Sequence, residues 1–214
     1  MDTEQLIQTL ARDVEPVTPL RRPSLRATAW VVGAAVYLAA LIAVMSPRDD
    51  LGARVQDTWF LIEQGAALLM GVTAAAAALA SVVPGRSRRI LLLPLGPLAV
   101  WLGMIGFGAL QDAQTLGLGG ILVQVNWRCV TAILAGAAVP AVAMAFMVRR
   151  GAPLTPRLTA GLGGLAAAGL GNFAVCLSHP HGVDLIWHAG TVLLLAAAAA
   201  WIGSHLLRWP QLTR

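Results

Sequence analysis

Residues 27–45 read ATAWVVGAAVYLAALIAVM, a run with no charged side chain. A bilayer core of roughly 30 Å needs about 20 helical residues to cross it, so this run is long enough to span. Its apolar residues neither alternate with polar ones nor gather into a single stripe, so a helix built from it is apolar all round and must meet lipid or other helices on every side. Five further runs have the same character: Thr58 to Val83, interrupted only by Glu63 and Gln64; Ile90 to Leu110; the stretch between Arg128 and Arg149; Leu158 to Leu177; and Leu185 to Leu207. The composition agrees, with 57% hydrophobic and 12% charged residues and a mean hydropathy of +0.73. A soluble chain with that much apolar surface would aggregate. The expected fold class is therefore all-α: a polytopic membrane protein with six transmembrane helices, preceded by a short N-terminal amphipathic helix. Residues 26–209 form the membrane domain, and 210–214 a short tail.

All 15 basic residues are arginines, and the net charge is +5. On a soluble domain such a charge would point to nucleic acid. Here the arginines sit between apolar runs and serve as topology signals, so no direct nucleic-acid binding is expected. Arg12, Arg21, Arg22 and Arg26 precede the first run; Arg86, Arg88 and Arg89 follow the second; Arg149, Arg150 and Arg157 follow the fourth; Arg208 and Arg214 close the chain. The opposite side holds only Arg48, Arg54 and Arg128. By the positive-inside rule both termini are cytoplasmic, in a bacterial inner membrane.

Within the runs, Ala160, Gly164 and Ala168 form a small-residue ladder on the fifth, and Ala99 with Gly103 does so on the third, as close helix packing requires. Pro140 lies mid-run in the fourth and is expected to kink it. No internal repeat or matched pair of broken helices is visible. No nucleophile, phosphate-loop or zincin motif occurs, so neither an enzyme nor a cofactor site is expected.

The segment before the first run, MDTEQLIQTLARDVEPVTPLRRPSL, is charged and is not built like a signal peptide. From Asp2 to Val14 it has helical periodicity: Leu6, Ile7, Leu10 and Val14, with Ala11 beside them, share one face. Glu4, Gln5, Gln8, Arg12 and Asp13 take the other. Asp2 can cap the start, and Pro16 ends the helix. A helix lying on anionic lipid favours a basic polar face; this one sets four carboxylates against Arg12 and is acidic. A helix so short folds fully only when its apolar stripe is covered. A groove on a soluble partner is the favoured cover over lipid or the bundle.

The stretch TEQLIQTLARDVEPVTPLRRPSLRATAW, with its pattern LIxxLAxDxxPVxxL leading into six spans, resembles the NrsF family (negative regulator of sigma F). Those are bacterial inner-membrane anti-sigma factors acting on extracytoplasmic-function sigma factors. The resemblance implies that residues 1–25 capture a sigma factor in the cytoplasm through Leu6, Ile7, Leu10, Ala11, Asp13 and Val14, and keep it from core polymerase. An acidic helix suits the basic DNA-facing surface of such a partner. A rival of another class is a small metal or solute transporter, with Glu63, Asn172 and histidines along a path.

Cys129 and Cys176 fall at the outer ends of the fourth and fifth runs, at one membrane depth, with no CxxC spacing. From the residues alone they are either apolar fillers or a redox pair. The resemblance implies the second, because family members carry paired outer-side cysteines tied to signal sensing. Asn172, Cys176 and His179 share a helical stripe, and His181, Asp184 and His188 follow. Arg128 adjoins Cys129 and would favour a thiolate if it points the same way. Redox chemistry is preferred to a metal site here. Family members tend to have a Cys-Pro step; this chain places Pro180 four residues after Cys176.

Overall fold

A computed structural model describes residues 2–12, 19–122, 127–151, 153–178 and 185–207. The described residues form helices and no strand: α1 (Thr3–Arg12), α2 (Pro23–Met45), α3 (Leu51–Arg54), α4 (Thr58–Ser81), α5 (Leu95–Leu122), α6 (Trp127–Arg149), α7 (Pro156–Ser178) and α8 (Leu185–Leu206), with one 3₁₀ segment at Arg88–Leu92. Six helices (α2 and α4 to α8) are long and apolar enough to cross a membrane. Exposed Val32 and Val36 on α2, Val142 and Phe146 on α6, and Leu194 on α8 give the outer face that acyl chains would solvate.

Helix α7 is the hub, and most of its residues are buried against α4, α6 and α8, with α2 also in contact. Its sequence, PRLTAGLGGLAAAGLGNFAVCLS, explains why. Small side chains let three neighbours approach its backbone. A Cβ at Gly171 would stand 2.9 Å from both the Ala137 nitrogen and the Ile133 oxygen of α6, and one at Gly71 of α4 would stand 2.9 Å from Leu170. On the opposite flank Gly164 faces Ala196 and Ala199 of α8, so the ladder expected on the fifth run is used. The ladder expected on the third is not. Ala99 is exposed and Gly103 has nothing beside it, because α5 lies at the edge of the bundle, against α4 and α8.

The third run also differs at its boundaries. Its first residues form the 3₁₀ segment, and Pro97 occupies the first turn of α5, where its missing N–H breaks no helical bond. The α-helix then continues to Leu122 across a kink at Gly117, whose φ of 73° favours glycine. Stacking of Trp59 on Phe107, with centroids 5.2 Å apart, ties α5 to the start of α4. Pro140 lies within a continuous α6. The expected N-terminal helix is observed as α1, with every described residue from Asp2 to Arg12 exposed.

Candidate functional site

One group of buried polar residues lies where α2 leaves the bundle and α7 terminates. Ser46 closes α2 with φ 66° and ψ 138°, a backbone region that non-glycine residues rarely occupy. This turn delivers Arg48 to the C-terminus of α7. The Arg48 N–H donates to the Leu177 oxygen at 3.1 Å, and its Nη1 to the Cys176 oxygen at 3.5 Å. Both carbonyls belong to the last turn of α7, which has no helical donors left to satisfy it. A cation there also meets the negative end of the helix dipole. The Arg48 side chain is buried, lies 5.9 Å from the Phe60 ring centroid, and is gripped at two points by Asp50, with Nη2 to Oδ2 at 2.8 Å. Donation from Arg48 holds the Asp50 carboxyl down at about 2.

Directly beneath sits Cys176, with no exposed surface. Its Sγ is 3.9 Å from Nδ1 of His188 on α8, and the Gln64 side chain of α4 reaches the same thiol. One turn further in, Asn172 is fully buried, and among the described residues neither its Oδ1 nor its Nδ2 has a partner, nor does Gln64 Oε1. An unmet buried polar group costs about 1–3 kcal/mol, so folded proteins keep few. Glu63 lies 3.5 Å from Gln64. Cys129, the third residue of α6, is also buried; both cysteines carry thiols rather than a disulfide, and Cys129 is within electrostatic reach of Cys176.

The structure thus brings Asn172, Cys176 and His188 together, with Cys129 at the same end. Arg128 is exposed at the start of α6. His179 and His181 lie outside the described residues, as do Asp13 and Val14 of the N-terminal segment. Among the described residues, no group of three His, Cys, Asp or Glu side chains stands close enough to share a metal ion. Sequence reasoning does not find Arg48, Asp50 and Gln64 as members of the site. A lone arginine on the arginine-poor side and a glutamine inside an apolar run are the available signals.

At the other end of the molecule, α1 carries Leu6, Ile7 and Leu10 at 41%, 54% and 60% exposure, with Ala11 beside them. An apolar face left this open is incomplete. Helix α2 connects it to the bundle and is fastened along its length to α6. Arg26 donates to the Met147 oxygen, Trp30 Nε1 to the Pro140 oxygen at 2.9 Å, and the Tyr37 hydroxyl to the Ala135 oxygen at 2.7 Å. The helix that leads to α1 is therefore bonded to the helix that carries Cys129, and at its far end to the turn that carries Cys176.

A family model described as "NrsF: Negative regulator of sigma F" matches residues 10–209. A relative described as "Probable anti-sigma-F factor NrsF", from Azospira oryzae (strain ATCC BAA-33 / DSM 13638 / PS), is 27% identical over 216 residues, covering 98% of this chain and 100% of its own. No solved structure gives a significant match.

Proposed function

The chain belongs to the NrsF family, the negative regulators of sigma F, and from that premise we propose that its N-terminal segment sequesters an extracytoplasmic-function sigma factor at the inner membrane. The observation that carries this reading is the uncovered apolar face of α1, which precedes the first span in the chain. A sigma factor offers both a basic surface and apolar grooves, so it can cover Leu6, Ile7 and Leu10 and meet the carboxylates. The partner is held away from core polymerase, and the protein itself touches no nucleic acid and transforms no substrate.

Release follows chemistry at the Cys129 and Cys176 end, which the arginine distribution puts on the periplasmic side. Hydrogen peroxide takes two electrons and two protons from the two thiols, leaves as two waters, and creates one S–S bond. A thiophilic cation instead displaces the two protons and binds the sulfurs. Either reagent must first reach buried thiols, so reaction requires the Arg48 hold on the end of α7 to open. Asn172 and His188 shape the surroundings of the thiol, Arg128 stands at the same end, and His179 and His181 follow α7 in the sequence.

The test is co-purification of the sigma factor with the full-length protein from membranes. Replacing Leu6 and Leu10 together by Asp should remove it while membrane insertion is unchanged. Each buried Leu contributes about 1.5–3 kcal/mol, so each loss weakens the complex roughly 10- to 150-fold. Undiminished co-purification from the double variant would sink α1 as the capture site.

A further inference from the structure

The arginine-rich end of the bundle holds a cleft of about 530 Å³, walled by the tether before α2, the turn after α4 and the turn after α6. Guanidinium-bearing Arg21, Arg22 and Arg150 line it, over a floor that includes Val82, Val83 and Pro84. We propose that this cleft binds the phosphate headgroup of an anionic phospholipid, and that the bound lipid fixes where the N-terminal segment leaves the membrane.

Charge is the first argument. Beyond the N-terminal segment, the carboxylates among the described residues are Asp49, Asp50, Asp57, Glu63 and Asp112, and none lies in a segment that forms this end. The ion pairs among the described residues are made by Arg48 and Arg54, at the other end. Arg26 adds a further cation beside Arg150. It is buried, one of its nitrogens donates to the Met147 oxygen, and its Nη1 has no partner among the described residues. Among the described residues none of these arginines is ion-paired, and like charges so gathered attract an anion.

Position and shape choose the anion. Basic pockets between spans at the headgroup level are where acidic lipids bind. An inorganic phosphate would leave the apolar floor of Val82, Val83 and Pro84 unfilled, whereas a glycerophospholipid places its glycerol and upper acyl chain there. Helix α1 does not fill the cleft, since its described residues are exposed throughout. Because Arg21 and Arg22 belong to the segment joining α1 to α2, a headgroup held by them immobilises the root of α1.

The full-length protein, purified in detergent, is titrated with phosphatidylglycerol or with phosphatidylcholine of the same acyl chains, and retained lipid is counted by native mass spectrometry. One phosphatidylglycerol should remain bound and phosphatidylcholine should not. Arg22→Gln with Arg150→Gln should weaken retention about 30-fold, while the Lys pair at the same positions should keep most of it and so exclude misfolding as the cause. Arg88→Gln with Arg157→Gln removes the same charge from the same end but not from the cleft lining, and should change little. Equal loss in that control, or undiminished retention in the cleft variant, overturns the proposal. Displacement of the lipid by millimolar inorganic phosphate would make this a free-anion site and overturn it as well.

Discussion

At the scale of single residues, Arg48 organises the arrangement around Cys176, and the groups that hold it make testable demands. Asp50 grips it from the loop, and its carboxyl is held at about 2, below its usual 3.8, chiefly by donation from Arg48. A carboxyl depressed in the folded state contributes stability that is complete above the unfolded value and is lost as pH falls through the folded one. The thermal midpoint should therefore carry an Asp50 contribution that is flat down to about pH 4 and disappears towards pH 2. Subtracting the acid limb of Asp50→Asn from that of the wild type isolates it; identical limbs would show that the pair contributes nothing. Ser46 makes a second demand. Its positive φ stores about 1–3 kcal/mol, of which glycine would relieve all at an entropic cost of about 0.5–1 kcal/mol. Ser46→Gly should thus raise the thermal midpoint in detergent. A lower midpoint would show that the turn is not strained in the way its angles indicate.

At the scale of elements, packing around α7 depends on backbone approaching backbone. A Cβ at Gly171 would meet main-chain atoms of Ala137 and Ile133, which cannot rotate away as a side chain can. Gly171→Ala should therefore separate α6 from α7 and cost about 1–3 kcal/mol. Gly33→Ala, with nothing within 4 Å of the added carbon, should be neutral or stabilising. Equal behaviour of the two variants in a detergent melt would contradict the close approach. The same packing separates what sequence can reveal from what it cannot. The six spans are legible because charge-free runs of this length have one stable solution in lipid, and α1 is legible through its 3.6-residue period. The small-residue ladder of α7 points to a contact but not to which neighbours make it, and the same pattern on α5 faces outward. Helix α3 and the 3₁₀ segment are too short to produce a periodic signal. Arg48 reads as a topology marker in the sequence because its role arises only when the exit of α2 meets the end of α7, residues far apart along the chain.

At the scale of the whole molecule, the two regions of interest occupy opposite ends of the bundle, and α2 connects them. Arg48, Gln64, Asn172 and His188 are buried at the cysteine end, and Arg26, Thr159 and Ser204 at the other. A transporter would need polar groups continued along a path, and the described residues of the other half are largely Ala, Gly and Leu, with Ser81 and Thr159 bonded to each other at 2.7 Å. A regulator needs something different, a rigid connection over roughly 30 Å whose two ends respond to different chemistry. The fastening of α2 to α6 at Arg26, Trp30 and Tyr37, and to the last turn of α7 through Arg48, supplies it. Under the proposed mechanism, reaction of the thiols would shift the end of α7 or α6, and α2 would follow or break those bonds. Cys129→Ser and Cys176→Ser each remove one thiol with little change in volume, far from α1. Each variant should therefore bind the sigma factor as the wild type does, yet fail to release it when peroxide or a thiophilic cation is added. Labelling of single introduced cysteines should accompany this, placing the Arg86 to Arg89 and Arg149 to Arg157 connections on the side of α1 and the Asp49 to Asp57 connection on the other. Normal release by the double Ser variant would remove the cysteines from the mechanism. Loss of binding in a single variant would mean that the thiols support the fold of the α1 end rather than report on the opposite side.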